Sequence, residues 1–146
     1  MSEAWDRLLR ILTARSHGRA ELRQKLRLKG HEAEEIEACL EKAERLQLLE
    51  DEASLAARFA AELRRKRGMS PLLARSKLMK RGFEGDVSDR AIRKAFADWE
   101  ARTEALALLE SEHDLQRGGR RLTRKGFPTE DVRWALQQLA HQEDDT

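Results

Sequence analysis

Arginine and lysine are the residues whose spacing in this chain can do chemistry. Arg19, Arg23 and Arg27 recur every four residues, which on a helix aligns them as one stripe, and Lys25 and Lys29 form a second row beside it. Arg117, Arg120, Arg121 and Arg124 also fall at helical spacing, with Lys125 adjacent. Between these, the stretch from Arg64 to Arg81 carries Arg64, Arg65, Lys66, Arg67, Arg75, Lys77, Lys80 and Arg81, and no acid. Rows of guanidinium and ammonium groups attract phosphates and carboxylates; they do not break bonds. Like charges four apart cost a helix about 0.2–0.5 kcal/mol per pair, so a chain that repeats such rows points to an anionic partner. Solvated helix faces, with last-turn cations facing the dipole, account for Lys29, Arg81 and Lys125, and can account for Arg64 to Arg67. They do not explain why acids are missing from two of the three basic stretches. The stripes fit nucleic acid and an acidic protein groove alike.

Other chemistry is poorly supplied. His17, His31, His113 and His141 lie in separate segments, and none stands at metal-ligand spacing from another His or Cys. No glycine-rich phosphate loop follows a strand, and nothing reads as a strand. Carboxylates are abundant, but on highly charged helices solvation explains them. Cys39 lies beside Ile36 and Leu40 and reads as a small core residue; as the lone cysteine it rules out an internal disulfide and fits a reducing compartment. The expectation is a protein without catalytic residues, metal or cofactor. Base stacking finds little support, because Phe59, Phe96 and Trp134 fall in apolar phase and Phe83 and Phe127 belong to helix caps. Trp5 and Trp99 each precede a long helix, and core or inter-module packing is the expectation for both. No helix-turn-helix or finger signature is present for base-specific readout.

The elements that carry the basic rows announce themselves by repetition. Leu26-Arg27-Leu28-Lys29-Gly30-His31 returns as Leu78-Met79-Lys80-Arg81-Gly82-Phe83 and as Leu122-Thr123-Arg124-Lys125-Gly126-Phe127. Each reads as a helix end in which glycine adopts the left-handed conformation and the flanking apolar pair closes over it. Three caps imply three copies of one helical unit, each with a long helix, a short basic helix and an acidic-starting helix. In the first unit, Trp5, Leu8, Leu9 and Leu12 mark the long helix, Ser16 is the expected N-cap of the short one, and Ile36, Leu40 and Ala43 line the third. The second opens near Asp51 with Leu55, Phe59 and Leu63; Gly68 ends that helix, and Ser70-Pro71 starts the short one. Its third helix, from Asp86 or Ser88, is expected to start slightly differently, because Ser88 and not an apolar residue stands six places after the glycine. The third unit begins near Asp98-Trp99, its short helix covers roughly Asp114 to Lys125, and Pro128-Thr129-Glu130 starts the last helix. A polar, frayed tail is expected from Gln142 to Thr146.

The fold class expected is therefore all-α, an elongated array of three tandem three-helix modules at 1–49, 50–97 and 98–146. Charged residues make up 38% of the chain and aromatics 5%, a balance that without helical periodicity would read as disorder. Net charge is only +2, so distribution and not total carries the signal. The absence of an apolar signal core or membrane-length stretch makes a cytoplasmic protein the expectation.

The run Arg19-Ala20-Glu21-Leu22-Arg23-Gln24-Lys25-Leu26-Arg27-Leu28-Lys29-Gly30, the junction Leu46-Gln47-Leu48-Leu49-Glu50-Asp51-Glu52 and the two later Gly-Phe caps resemble the RecX regulatory family. The resemblance covers almost the whole chain. It departs where His31 replaces the usual large apolar residue, at the offset helix of the second unit, and where Gly118-Gly119 interrupts the third short helix. It implies a cytoplasmic, monomeric, non-enzymatic modulator of the RecA recombinase, lying in the groove of the RecA–DNA filament and restraining ATP hydrolysis, strand exchange and coprotease function. RecA, ATP and single- or double-stranded DNA would belong to the target, so no cofactor is needed. The expected binding set is Arg19, Arg23, Lys25, Arg27, Arg64, Arg65, Lys66, Arg67, Arg75, Lys77, Lys80, Arg117, Arg120, Arg121, Arg124 and Lys125. The alternatives are a sequence-independent DNA-binding helical repeat and a helical scaffold for an unrelated acidic partner.

Overall fold

The computed structural model describes residues 2–144, and among these there are helices and no strand. The helices are α1 (Glu3–Ala14), α2 (Arg19–Leu28), α3 (Ala33–Arg45), α4 (Glu52–Arg64), α5 (Pro71–Lys80), α6 (Gly85–Ala95), α7 (Ala101–Glu110), α8 (Leu115–Arg124) and α9 (Thr129–Asp144).

All three short helices end as the repeated motif requires. Gly30, Gly82 and Gly126 have φ of +91°, +92° and +97°, a conformation that costs an L-residue with a Cβ about 1–2 kcal/mol. The amides of His31, Phe83 and Phe127 donate back to the carbonyls of Leu26, Leu78 and Leu122 at 3.2, 3.3 and 3.0 Å, closing a Schellman cap each time. A fourth such closure ends α3, where the Leu48 amide reaches the Ala43 carbonyl at 2.9 Å with Gln47 at φ +58°.

Helix starts follow the sequence in part. The Ser70 hydroxyl accepts from the Leu73 amide ahead of Pro71, and Asp51 and Asp114 cap α4 and α8 in the same way. Ser16 does not cap α2: Gly18 holds that position, and Glu52 of α4 supplies the acceptor, with its carboxylate 2.6 Å from the Arg19 amide. The expected offset in the second unit is also absent. The amides of Ile36, Ser88 and Val132 donate to the carbonyls of Glu32, Glu84 and Pro128 at 2.9, 2.9 and 3.1 Å, so the three third helices start in one register and Ser88 is simply a buried serine at an apolar position. Nor do Gly118 and Gly119 interrupt α8, which runs through both; they are buried contact points where α8 passes close to α7 and α9. The helix expected to fray from Gln142 continues to Asp144, and residues 145–146 lie outside those described.

The apolar interior falls into three clusters. Trp5, Leu8, Leu22, Leu26, Ile36, Cys39 and Leu40 form the first; Leu55, Phe59, Leu78, Phe83, Ile92 and Phe96 the second; Ala105, Leu109, Leu122, Phe127, Val132 and Leu139 the third. Cys39 is buried in the first as expected, and so is Trp5, which therefore does not join units. Trp99 does: its ring lies 6.4 Å from Phe96 and 5.3 Å from Phe127, and it packs on both the second and third clusters.

The remaining junctions place the short helices end to end. The Gly82 cap of α5 abuts Ala20 and the Glu21 amide at the start of α2, and the Gly126 cap of α8 abuts Ser70 and Leu72 at the start of α5. At the second junction the Ser70 hydroxyl donates to the Lys125 carbonyl at 2.5 Å. At the first, buried Glu21 receives Arg15 through both oxygens at 3.2 Å and Arg81 at 3.5 Å, while Arg81 also covers the Phe59 ring. The carbonyl end of one helix thus meets the amide end of the next, an arrangement each macrodipole favours.

Candidate anion-binding face

The basic residues divide into two groups by what they meet. On α2, Arg23 Nε lies 2.5 Å from Glu37 Oε1, and Arg19 reaches both Glu37 and Glu44 of α3. Arg75 of α5 pairs with Asp89 of α6 at 2.6 Å, and Arg121 of α8 with Glu112 at 2.8 Å. Arg64 turns toward Glu104 at 3.2 Å and Asp98 at 3.8 Å, tying the second unit to the third. Lys25 Nζ is 2.6 Å from Nε2 of buried His17, whose Nδ1 lies 2.9 Å from the Arg15 carbonyl. Arg19, Arg23, Lys25, Arg64, Arg75 and Arg121 are therefore engaged within the chain. The physical reason is that α2 and α5 pack beside third helices whose carboxylates, Glu37 and Glu44 on α3 and Asp89 on α6, lie opposite their cations, while Glu112 ahead of α8 meets Arg121.

The rest of the expected set forms no ion pair among the described residues: Arg27, Arg65, Lys66, Arg67, Lys77, Lys80, Arg117, Arg120, Arg124 and Lys125. Arg67 donates to the Ser111 hydroxyl at 2.5 Å, and the Lys125 ammonium lies beside Gly68. The engaged arginines on α2, α5 and α8 stay 31–42% exposed, and pairs of that kind contribute about 0.2–1 kcal/mol each, so an incoming anion can compete for them. The side-chain hydrogen bond from Arg23 first, with Arg19 also present, holds the Glu37 carboxyl below its ordinary range; the contact with Glu44 first raises the Arg19 guanidinium. Burial lowers His17, so at neutral pH its Nε2 is an acceptor for the Lys25 ammonium.

A cationic recess of about 440 Å³ lies between α1 and α2, lined by Arg7, Arg10, Lys25 and Lys29 over Ile11 and Leu28, and two more lie in the other units. One, of about 300 Å³, lies between α4 and α5 and is lined by Lys66, Lys77, Lys80 and Arg81 over Phe59 and Leu63, with Glu62 beside them. The larger, of about 800 Å³, lies between α8 and α9 and brings Arg120 and Arg124 together with Arg133. Arg133 was not legible as a site residue from α9 alone. Superposing the repeats by their glycines would have found it, because the same position holds Glu37 in the first unit and Asp89 in the second. Among the described residues no cluster of His, Cys, Asp and Glu is arranged to hold a metal, and no helix is long and apolar enough to cross a membrane.

The first unit, residues 4–42, matches the family model described as RecX, first three-helix domain. A regulatory protein RecX from Halorhodospira halophila is 33% identical in an alignment covering 96% of this chain and 89% of that protein. The chain belongs to the RecX family. The regulatory protein RecX of Chlorobaculum tepidum is 36% identical over 62% of this chain and 56% of that relative. The crystal structure of RecX from Lactobacillus salivarius superposes with a TM-score of 0.69 over 94% of this chain and 95% of that one, at 18% identity, which shows a shared all-α fold of tandem helical modules.

Proposed function

We propose that this chain regulates a RecA recombinase without chemistry of its own, by binding the RecA–DNA filament and restraining its ATPase, strand-exchange and coprotease activities. The observation that supports this is the unpaired cationic set, most of it carried by short helices laid end to end and the rest by residues 65–67 between α4 and α5 and by Lys125. Helices in series present charge over a length that a single bundle does not, which suits a long polyanionic assembly with repeating sites. In this reading the units are 1–49, 50–97 and 98–146, the protein acts as a monomer in the cytoplasm, and ATP and DNA belong to the filament. A steady-state assay of RecA ATPase on single-stranded DNA tests it: inhibition at substoichiometric to stoichiometric protein is expected, and none at stoichiometry refutes it. The competing reading, sequence-independent DNA binding, is favoured by the acid-free stretches at 64–81 and 117–125. It predicts equal binding with and without RecA and a steep fall of affinity with salt.

A further inference from the structure

Counting from each cap glycine exposes a position where the third unit inverts the other two. Seven residues before the glycine stand Arg23, Arg75 and Gly119; seven after stand Glu37, Asp89 and Arg133. In the first two units these residues meet across the short and third helices, Arg23 Nε to Glu37 at 2.5 Å and Arg75 Nε to Asp89 at 2.6 Å, and so fill the space between the helices. In the third unit the arginine has become glycine and the acid has become arginine. Leu136 and Val132 pack against Gly119, and beside them a groove of about 800 Å³ runs between α8 and α9 with no internal arginine–carboxylate pair across it.

The change extends along the groove. Glu41 and Glu44 of α3 correspond to Gln137 and Ala140 of α9, both on the groove wall, and no acidic residue lines it. Its floor is apolar, from Val132 and Leu136, and its rim carries Arg120, Arg124 and Arg133, none of them in an ion pair among the described residues. Apolar floor and cationic rim together select the occupant. A sugar-phosphate backbone satisfies the guanidiniums and offers nothing to the floor, whereas an amphipathic helix with acids beside its leucines satisfies both.

We propose that the α8–α9 groove docks an acidic amphipathic segment of a protein partner, whose carboxylate pairs with Arg133 in place of the internal arginine–carboxylate pairs of the other two units. Taking the filament protein as that partner rests on the proposed function; the groove's preference for an acidic helix does not.

The test uses the full chain and two variants. Arg133→Gln removes one exposed rim charge, and the double variant Gly119→Arg with Arg133→Glu rebuilds the internal pair and fills the groove. Each is titrated against RecA filaments on oligo-dT, against bare oligo-dT, and against a labelled synthetic helix of glutamate and leucine at i, i+3 and i+4 spacing. A lysine–leucine helix serves as control, and circular dichroism confirms folding. The expected result is at least a tenfold loss of filament and Glu–Leu helix affinity in both variants, with bare-DNA affinity within threefold of wild type. If the double variant fails to fold, Arg133→Gln decides. Unchanged filament binding in the variants, where the wild type does bind filaments, overturns the proposal while leaving the proposed function standing. An equal loss on bare DNA also overturns it, making the groove a phosphate site. If the wild type binds the Glu–Leu helix but not the filament, the proposed function fails and the groove assignment stands; if it binds neither, both fail.

Discussion

Replacing Gly82 by alanine asks whether the units are coupled through their caps, and Gly30 provides the control. Both glycines sit near φ +90°, so both variants pay the same conformational cost, about 1–2 kcal/mol for a Cβ in the left-handed region. Their surroundings differ. A Cβ on Gly30 meets nothing within 4 Å, whereas one on Gly82 comes to 2.9 Å of Ala20 Cβ, 3.1 Å of the Glu21 amide nitrogen and 3.2 Å of the Ala20 carbonyl carbon. Two of these three atoms are backbone, which cannot rotate away, so the junction between α5 and α2 must open. Overpacking of that kind costs about 1–3 kcal/mol. Gly30→Ala should therefore lose about 1–2 kcal/mol and Gly82→Ala about 2–5 kcal/mol. With a urea dependence of about 1–3 kcal/mol per molar, the second midpoint should fall lower than the first by roughly a molar unit. Urea unfolding followed by far-ultraviolet circular dichroism and by Trp5, Trp99 and Trp134 emission measures this. Equal midpoints for the two variants would refute the coupling.

Three further outcomes follow from single residues. Gln47 is the only non-glycine residue at positive φ among those described, and Gln47→Gly should raise stability by about 1 kcal/mol in the same urea assay. The Ser88 hydroxyl is buried without a hydrogen-bond partner where Ile36 and Val132 stand in the other units, so Ser88→Ala should leave the melting temperature unchanged or raise it. Burial lowers the His17 pKa in the folded chain, so the unfolded chain binds more protons below the ordinary histidine value of about 6.5. Stability should then fall as pH drops from about 7 toward 5, and a His17→Gln variant should flatten that part of the melting-temperature profile.

What was legible in the sequence is what short-range chemistry decides. The Leu-x-x-basic-Gly-aromatic caps and the Ser70-Pro71 start lie within six residues of their partners, so their types and spacing suffice. The misreadings have partners far along the chain. Gly18 rather than Ser16 starts α2 because Glu52, 33 residues away from Arg19, provides the acceptor. Gly118 and Gly119 look like helix breakers until Leu109 and Leu136 are seen pressed against them. The arginine stripes of α2 and α8 lie on the short helices that their spacing predicts, yet the engagement of basic residues with Glu37, Glu44, Asp89 and Glu112 depends on how neighbouring helices face one another. Arg133 was hidden for the opposite reason: its meaning lies in the missing counterpart at Gly119.

Because α8, α5 and α2 run in series, the Gly82 and Gly126 contacts help set the direction of every unit, together with the Trp99 packing, the Arg64 pairs and the Glu52 contact to α2. Each ten-residue helix is about 15 Å long, so a tilt of about 10° at the Gly82 contact swings the far end of α8, two helix lengths away, by roughly 5 Å. Such leverage makes the pitch of the whole molecule sensitive to two hydrogen atoms, those that Gly82 and Gly126 carry where other residues have a side chain. Drift at either contact would leave every binding group intact and still throw the far groups out of step with a target of fixed repeat.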